Sequence, residues 1–201
     1  MEHVFLGTTN LTKAVHLSRL LKGLPCNIVS PNEWGLELAI PEQGVSHVEN
    51  AVAKAVAWSE KTGTLTIASD GGLIIPALGA AWDSLQTHRF AGELNDAGKV
   101  KELLRMMNGL EGQERRVFWR EAVALARAGL PLASWQVEGA EAMLAREVNL
   151  SHVVPGFWVA GLLCSPEPSK IYGDMESCYA NDHWCQLRTR VYEFLERYLY
   201  S

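Results

Sequence analysis

Val4-Phe5-Leu6-Gly7-Thr8-Thr9-Asn10-Leu11-Thr12-Lys13 is the stretch on which the fold is read. Val4–Thr9 is a short apolar and β-branched run, the pattern of a buried strand. It breaks at Asn10. A helical pattern follows, with Val15, Leu17, Leu20 and Leu21 apolar and Lys13, Arg19 and Lys22 polar. Working outward, Gly23-Leu24-Pro25 stops that helix. Asn27-Ile28-Val29 is a second short strand, and Ser30-Pro31-Asn32 reads as a loop. After the turn Pro41-Glu42-Gln43-Gly44 comes an Ala-rich helix, Glu49–Trp58, apolar nearly all round and so expected to be buried. It ends at Thr62-Gly63. Leu65–Ala68 is a third strand, which Ser69-Asp70-Gly71-Gly72 is expected to terminate. Strands and helices alternating in this way predict an α/β fold with parallel neighbours.

The second half is less regular. Lys99–Met107 is helical, with Val100, Leu103, Leu104 and Met107 on one stripe. Val117–Ala128 carries both strand and helix signals, and propensity leaves the two open. Leu132–Val137 and Phe157–Cys164 read as strands. His183–Tyr200 is an amphipathic helix, with Trp184, Leu187, Val191, Phe194, Leu195 and Tyr198 near 3.6-residue spacing. No repeat, low-complexity tract or linker divides the 201 residues, so the expectation is a single domain over 1–201.

Apolar residues are 48% of the chain and charged residues 20%, which excludes a disordered, collagen-like or coiled-coil protein. Eighteen Lys+Arg against 23 Asp+Glu give a net charge of −5. A mildly acidic chain argues against sequence-independent binding to nucleic acid, which needs clustered phosphate neutralisation. No apolar run approaches the roughly 20 residues of a membrane span. Met1-Glu2-His3 is not the start of a signal peptide. Cys26, Cys164, Cys178 and Cys185 show no CxxC and read as reduced thiols, buried or half-buried, in a cytoplasmic protein. Cys178, His183 and Cys185 are too irregularly spaced for a convincing zinc set.

Three features could carry chemistry. Gly7–Lys13 sets hydroxyls, an amide and a cation around a helix N-terminus, a place that favours a phosphate. Thr and Asn there are equally ordinary capping residues. Lys54 is the only charged side chain between Ala51 and Trp58. It must meet an anion or reach solvent, and the candidates are a phosphate or an ion pair with Glu49 or Asp70. Asp70 is expected at the C-terminal end of its strand, where ligands of α/β sheets bind. Gly71 and Gly72 permit close backbone approach there. Its carboxylate suits Mg²⁺ or a capped turn. Glu42 could add a second carboxylate, and Arg89 a further cation. Together these are the parts of a site for a metal-bound polyphosphate in the N-terminal half.

Phe5–Lys13, Glu49–Ala55, Ala68–Leu73, Ala77-Leu78-Gly79 and Arg89-Phe90-Ala91-Gly92 together resemble the inosine/xanthosine triphosphate pyrophosphatase family over about the first 120 residues. The resemblance implies a long mixed central sheet flanked by helices, with two lobes and a cleft between them. Residues 1–120 would form the phosphate and metal half, and 121–201 would complete the cleft. It implies hydrolysis of a nucleoside triphosphate to monophosphate and pyrophosphate with Mg²⁺, in a cytoplasmic homodimer. Thr8, Asn10, Lys13 and Lys54 would hold the phosphates, and Glu42 and Asp70 the metal. Asp70 would also activate water, with Lys54 beside it as a catalytic residue. Gly71, Arg89, Phe157 and Arg188 complete the substrate set.

The chain also departs from the family. Ser69-Asp70-Gly71-Gly72 stands where Asp-Asp-Ser-Gly is usual. Only Phe157 remains of Phe-Gly-Tyr-Asp-Pro in Phe157-Trp158-Val159-Ala160-Gly161. Cys185-Gln186-Leu187-Arg188 falls near Ser-His-Arg and retains one Arg, and Asn181 falls close to an expected Lys. A site without those groups has no built-in preference for a 6-keto purine. Asp174, Asp182, Arg188 and Arg190 are either compensating groups or surface charges. Trp158 is read as a ring-stacking or a core residue, and Trp184 as core. The alternative function is a catalytically degenerate nucleotide-binding or scaffold relative, and it gains if Lys54 pairs with Asp70 across a closed cleft.

Overall fold

The computed structural model describes residues 1–149, 157–165 and 182–200. In chain order the elements are β1 (Glu2–Leu6), α1 (Leu11–Leu21), β2 (Cys26–Val29), α2 (Pro31–Trp34), α3 (His47–Thr62) and β3 (Leu65–Ile74). After two short 3-10 helices come α4 (Asp96–Met106), β4 (Arg116–Arg127), β5 (Leu130–Glu138), β6 (Ala142–Leu144), β7 (Leu163–Cys164) and α5 (Asp182–Tyr200). The strand order is β2-β1-β3-β4-β6-β7, with β5 also paired to β4. β1 runs parallel to both β2 and β3, while β6 is antiparallel to β4 and β7, so the sheet is mixed.

The chain divides into two compact units, one of Met1–Gly71, Glu121–Val137 and His183–Ser201, the other of Gly72–Arg120 and Glu138–Asp182. In the first, alternation along each strand sorts side chains between two faces. Val4 and Leu6 of β1, Leu65 and Ile67 of β3, and Val123 and Leu125 of β4 pack with Leu17, Leu20 and Leu21 of α1 and with Leu187, Val191 and Leu195 of α5. Ala68, Ala122, Ala124 and Ala126 meet Ala51 and Ala55 of α3. The second unit has its own core, including Leu73, Ile75, Trp82, Leu103, Met107, Val117, Trp158 and Leu162. Arg115 is buried there and serves as a backbone staple, donating to the carbonyls of Met107, Leu110, Leu144 and Ala145.

Several elements differ from the sequence expectation. β3 does not stop at Ser69 but runs on through Asp70, Gly71 and Gly72 to Ile74. The glycines there mark close packing rather than a chain break. A Cβ on Gly72 would lie 2.0 Å from the Ser84 carbonyl oxygen, and the neighbouring Leu73 N–H donates to Thr87 Oγ1. α3 is longer than expected and buried along one side only, at His47, Asn50, Ala51, Ala55, Trp58 and Ser59. Val15, expected on the inner face of α1, is 51% exposed. The Ser30 loop contains α2, closed by a Ser30–Glu33 capping box with Pro31 in its first turn. Val117–Ala128, ambiguous in the sequence, is almost wholly strand β4.

Most of Phe157–Cys164 is turn and 3-10 helix, with strand only at Leu163–Cys164. Trp158 and Trp184 are both core residues. Trp158 donates to the Thr87 carbonyl and stacks on Phe90, and Trp184 stacks on His16. Cys26 and Cys164 are half-buried, but Cys185 is exposed on α5. Arg190 is exposed, while Asp174, Cys178, Asn181 and the side chain of Asp182 lie outside the described residues. No helix among the described residues is long and apolar enough to cross a membrane.

Candidate active site

The alanines between α3 and the sheet are what allow a polar group to assemble there. Small side chains on both surfaces let the helix backbone approach closely. Gly7 belongs to the same contact, because a Cβ on it would lie 3.0 Å from the Trp58 ring and 3.1 Å from Ala68 Cβ. With the helix this close, His47, Asn50 and Lys54 all reach Asp70 on β3. They sit at i, i+3 and i+7, which is one side of a helix.

Asp70 is 6% exposed and accepts from three donors. Lys54 Nζ stands 2.7 Å from Oδ1, His47 Nδ1 2.8 Å from Oδ2, and Asn50 Nδ2 3.4 Å from Oδ2. Lys54 also forms an ion pair with Glu42, so one ammonium bridges two carboxylates. Burial works against the charge on Asp70, but the His47 hydrogen bond and the charges of Lys13 and Lys54 outweigh it, taking its pKa down to about 2. Burial also opposes the charge on Lys54, and the Asp70 and Glu42 carboxylates more than offset it, so its pKa lies above the usual lysine value. Both groups are therefore charged at neutral pH.

Glu42 is held near this group by its loop. Gly44 N–H donates to Asn50 Oδ1 at 2.9 Å, and Val45 N–H to Glu49 Oε2 at 3.0 Å. A Cβ on Gly44 would come within 3.0 Å of the Asn50 backbone nitrogen, so this turn needs a glycine. Ser46 caps α3 by accepting from Glu49 N–H. Glu49 is thus occupied with the helix cap, and Asp70 and Glu42 are the partners of Lys54.

The β1–α1 junction shows its capping role directly. Asn10 Oδ1 accepts from Lys13 N–H at 3.0 Å, and Thr8 Oγ1 accepts from Asn10 N–H at 3.2 Å. Lys13 Nζ lies 3.9 Å from Oε1 of the buried Glu121 on β4. Its charge acts on Asp70 as well, which links the junction electrostatically to the group on α3.

Of the residues singled out in the sequence, Glu42, Lys54 and Asp70 come together, with Lys13 in electrostatic reach, Thr8 and Asn10 at the cap of its helix, and Gly71 next in the strand. Arg188 is not brought to them. It donates to the Lys22 carbonyl at the far end of α1 and lies over the Tyr192 ring. An eleven-residue helix separates those ends by roughly 16 Å. Arg89 and Phe157 belong to the second unit, Arg89 exposed and Phe157 edge-on to Trp119 at 5.3 Å. The sequence reading missed His47, Asn50 and Glu121. Asn50 carried a usable signal, since a polar residue in a run read as buried needs a partner, whereas His47 lay before that run. Glu121 carried none until Val117–Ala128 was known to be a strand.

These features define an α/β protein that brings a buried carboxylate, a lysine and a histidine together where one alanine-lined helix meets a mixed sheet. Residues 4–146 match the Ham1 family, and the chain belongs to it. A dITP/XTP pyrophosphatase from Xanthomonas campestris pv. campestris (strain 8004) is 36% identical over 128 residues, 63% of this chain and 63% of that protein. The match thus spans less than two thirds of that relative's length. A dITP/XTP pyrophosphatase from Desulforamulus reducens is 30% identical over 196 residues, covering 96% of this chain and 94% of its own. The fold is that of a HAM1 protein from Coxiella burnetii, with a TM-score of 0.79 at 24% identity over 96% of this chain and 100% of the other.

Proposed function

We propose that this chain is a Mg²⁺-dependent hydrolase that cuts a nucleoside triphosphate, of inosine, xanthosine or another modified base, between its α- and β-phosphates, releasing the monophosphate and pyrophosphate. The observation that carries this reading is the single hydrogen-bonded group of Asp70, Lys54 and Glu42, with Asp70 ionised and fixed by three donors. The activity named for the relatives points the same way.

The donor set fits the metal. Two carboxylates already share one cation, the Lys54 ammonium, and Mg²⁺ takes one or two carboxylates together with waters and phosphate oxygens. Glu42 and Asp70 would hold it, and the chemistry it supplies is positive charge that stabilises the transition state and acidifies bound water. Asp70, deprotonated at working pH, accepts the proton of the attacking water. Lys13 and Lys54 neutralise phosphate charge, and the positive end of the α1 dipole beyond the cap at Thr8 and Asn10 favours a phosphate. Arg89, Phe157 and Arg188 enter the substrate set through the family resemblance alone. A cleft between two lobes, a homodimer and a cytoplasmic setting rest on that same support.

A second reading, a nucleotide-binding relative without catalysis, is favoured by one observation: Lys54 already neutralises both carboxylates that would take the metal. Pyrophosphate release from a panel of common and modified nucleoside triphosphates, with Mg²⁺ at mildly alkaline pH, separates the two. The hydrolase turns over at least one member, and Asp70→Asn lowers that rate by roughly 10²–10⁴-fold. Tight nucleotide binding with no turnover on any member establishes the second reading.

A further inference from the structure

His47 opens α3 directly after its Ser46 cap and is 3% exposed. Its Nδ1 is 2.8 Å from Asp70 Oδ2. A deprotonated carboxylate only accepts, so Nδ1 carries the hydrogen in this contact, which assigns the tautomer. Asn50, one turn further along α3, donates to the same oxygen. Lys54, a further turn on, donates to the other. A carboxylate oxygen has two lone-pair directions. Two donors therefore saturate Oδ2, while among the described residues Oδ1 takes Lys54 and keeps one direction open. The three side chains divide the carboxylate into an anchored oxygen and a working one.

We propose that His47 is a positioning residue for Asp70: by holding Oδ2 it makes Oδ1, the oxygen beside Lys54, the one that keeps a direction for the reaction. This rests on the hydrolase reading for its consequence but not for its geometry. Imidazole partners of this kind orient a working carboxylate, and removing such outer contacts typically costs roughly 10–100-fold in activity or metal affinity.

Two measurements test it. Nitrogen-correlated NMR of the histidine rings in the full chain reads the His47 tautomer without substrate or metal. An Nδ1–H ring is expected, and a ring protonated only on Nε2 overturns the proposal. Steady-state kinetics then compare His47→Leu, which fills space without a donor, and His47→Asn, whose amide N–H stands near the position of Nδ1. His47→Leu is expected to lower kcat by roughly 10–100-fold with KM within about threefold, and His47→Asn to recover most of that loss at the same thermal midpoint. An unchanged kcat in His47→Leu, or a His47→Asn as impaired as His47→Leu, overturns it. If the wild-type chain turns over no triphosphate, the hydrolase reading fails and the tautomer alone decides this one.

Discussion

The two faces of the sheet in the first unit are built from opposite materials. The face toward α1 and α5 is lined with Val4, Leu6, Leu65, Ile67, Val123 and Leu125, large side chains that fill the space to the helices. The face toward α3 is lined with Ala68, Ala122, Ala124 and Ala126 and meets alanines on the helix. Large residues bury more area and contribute more to stability. Small ones give less burial but bring a helix close enough for His47, Asn50 and Lys54 to converge on one carboxylate. Stability is concentrated on one face and chemistry on the other. Polar residues reach the aliphatic face at Ser69 and Glu121, near where β3 leaves the unit and β4 enters it, and at Glu2 and Arg127, which pair at 3.4 Å. Buried Ser69 Oγ has no hydrogen-bond partner among the described residues, which costs stability at that edge.

This division can be broken in three ways. The largest effect on stability belongs to the aliphatic face. Leu20→Ala should cost roughly 2–5 kcal/mol in a urea unfolding curve, yet leave the KM of the folded enzyme near its original value. A large rise in KM would mean that the two faces are not independent. On the alanine face, Ala55→Leu should cost roughly 1–3 kcal/mol by overpacking and also suppress turnover, because α3 must move away from β3. Turnover that survived at the original rate would show that close approach is not what assembles the site.

On the α3 face, acid acts through Asp70. The folded pKa of Asp70, about 2, lies below its ordinary value of 3.8, so its contribution is complete above about pH 4 and fades as pH falls towards 2. The loss attributable to this group should be at most about 2 kcal/mol. It is read as the difference in unfolding free energy between pH 5 and pH 2.5, wild type against Asp70→Asn. Equal acid sensitivity in the two proteins would remove Asp70 from this role.

Much of the first unit was legible because its signals are local. β1, α1, β2 and α5 follow from hydrophobic periodicity and breakers, and each lies within a few residues of its expected span. That Lys54 needs an anionic partner was legible because it is the only charged side chain between Ala51 and Trp58. What was misread depended on partners distant in the chain. Gly71-Gly72 looks like a strand end until the 84–87 segment is seen packed against Gly72. Val117–Ala128 carries small residues and mixed propensities because β4 is alanine on one face and aliphatic on the other, so no single period dominates it. Lys54 offered three possible partners, and only the turn geometry set by Gly44 and the cap at Ser46 removed Glu49 from among them.

The amino-acid order by itself determined the α/β class, the alternation of β1, α1, β2, α3 and β3, and the residue types available to a phosphate and a cation. These follow from backbone propensity and side-chain chemistry, which act over a few neighbouring residues. Tertiary structure alone decided that Asp70 is a mid-strand carboxylate, that His47 and Asn50 hold one of its oxygens, and that Lys54 bridges it to Glu42. The contacts on Asp70 join a helix to a strand, and their distances are set by how closely the alanines let the two surfaces pack.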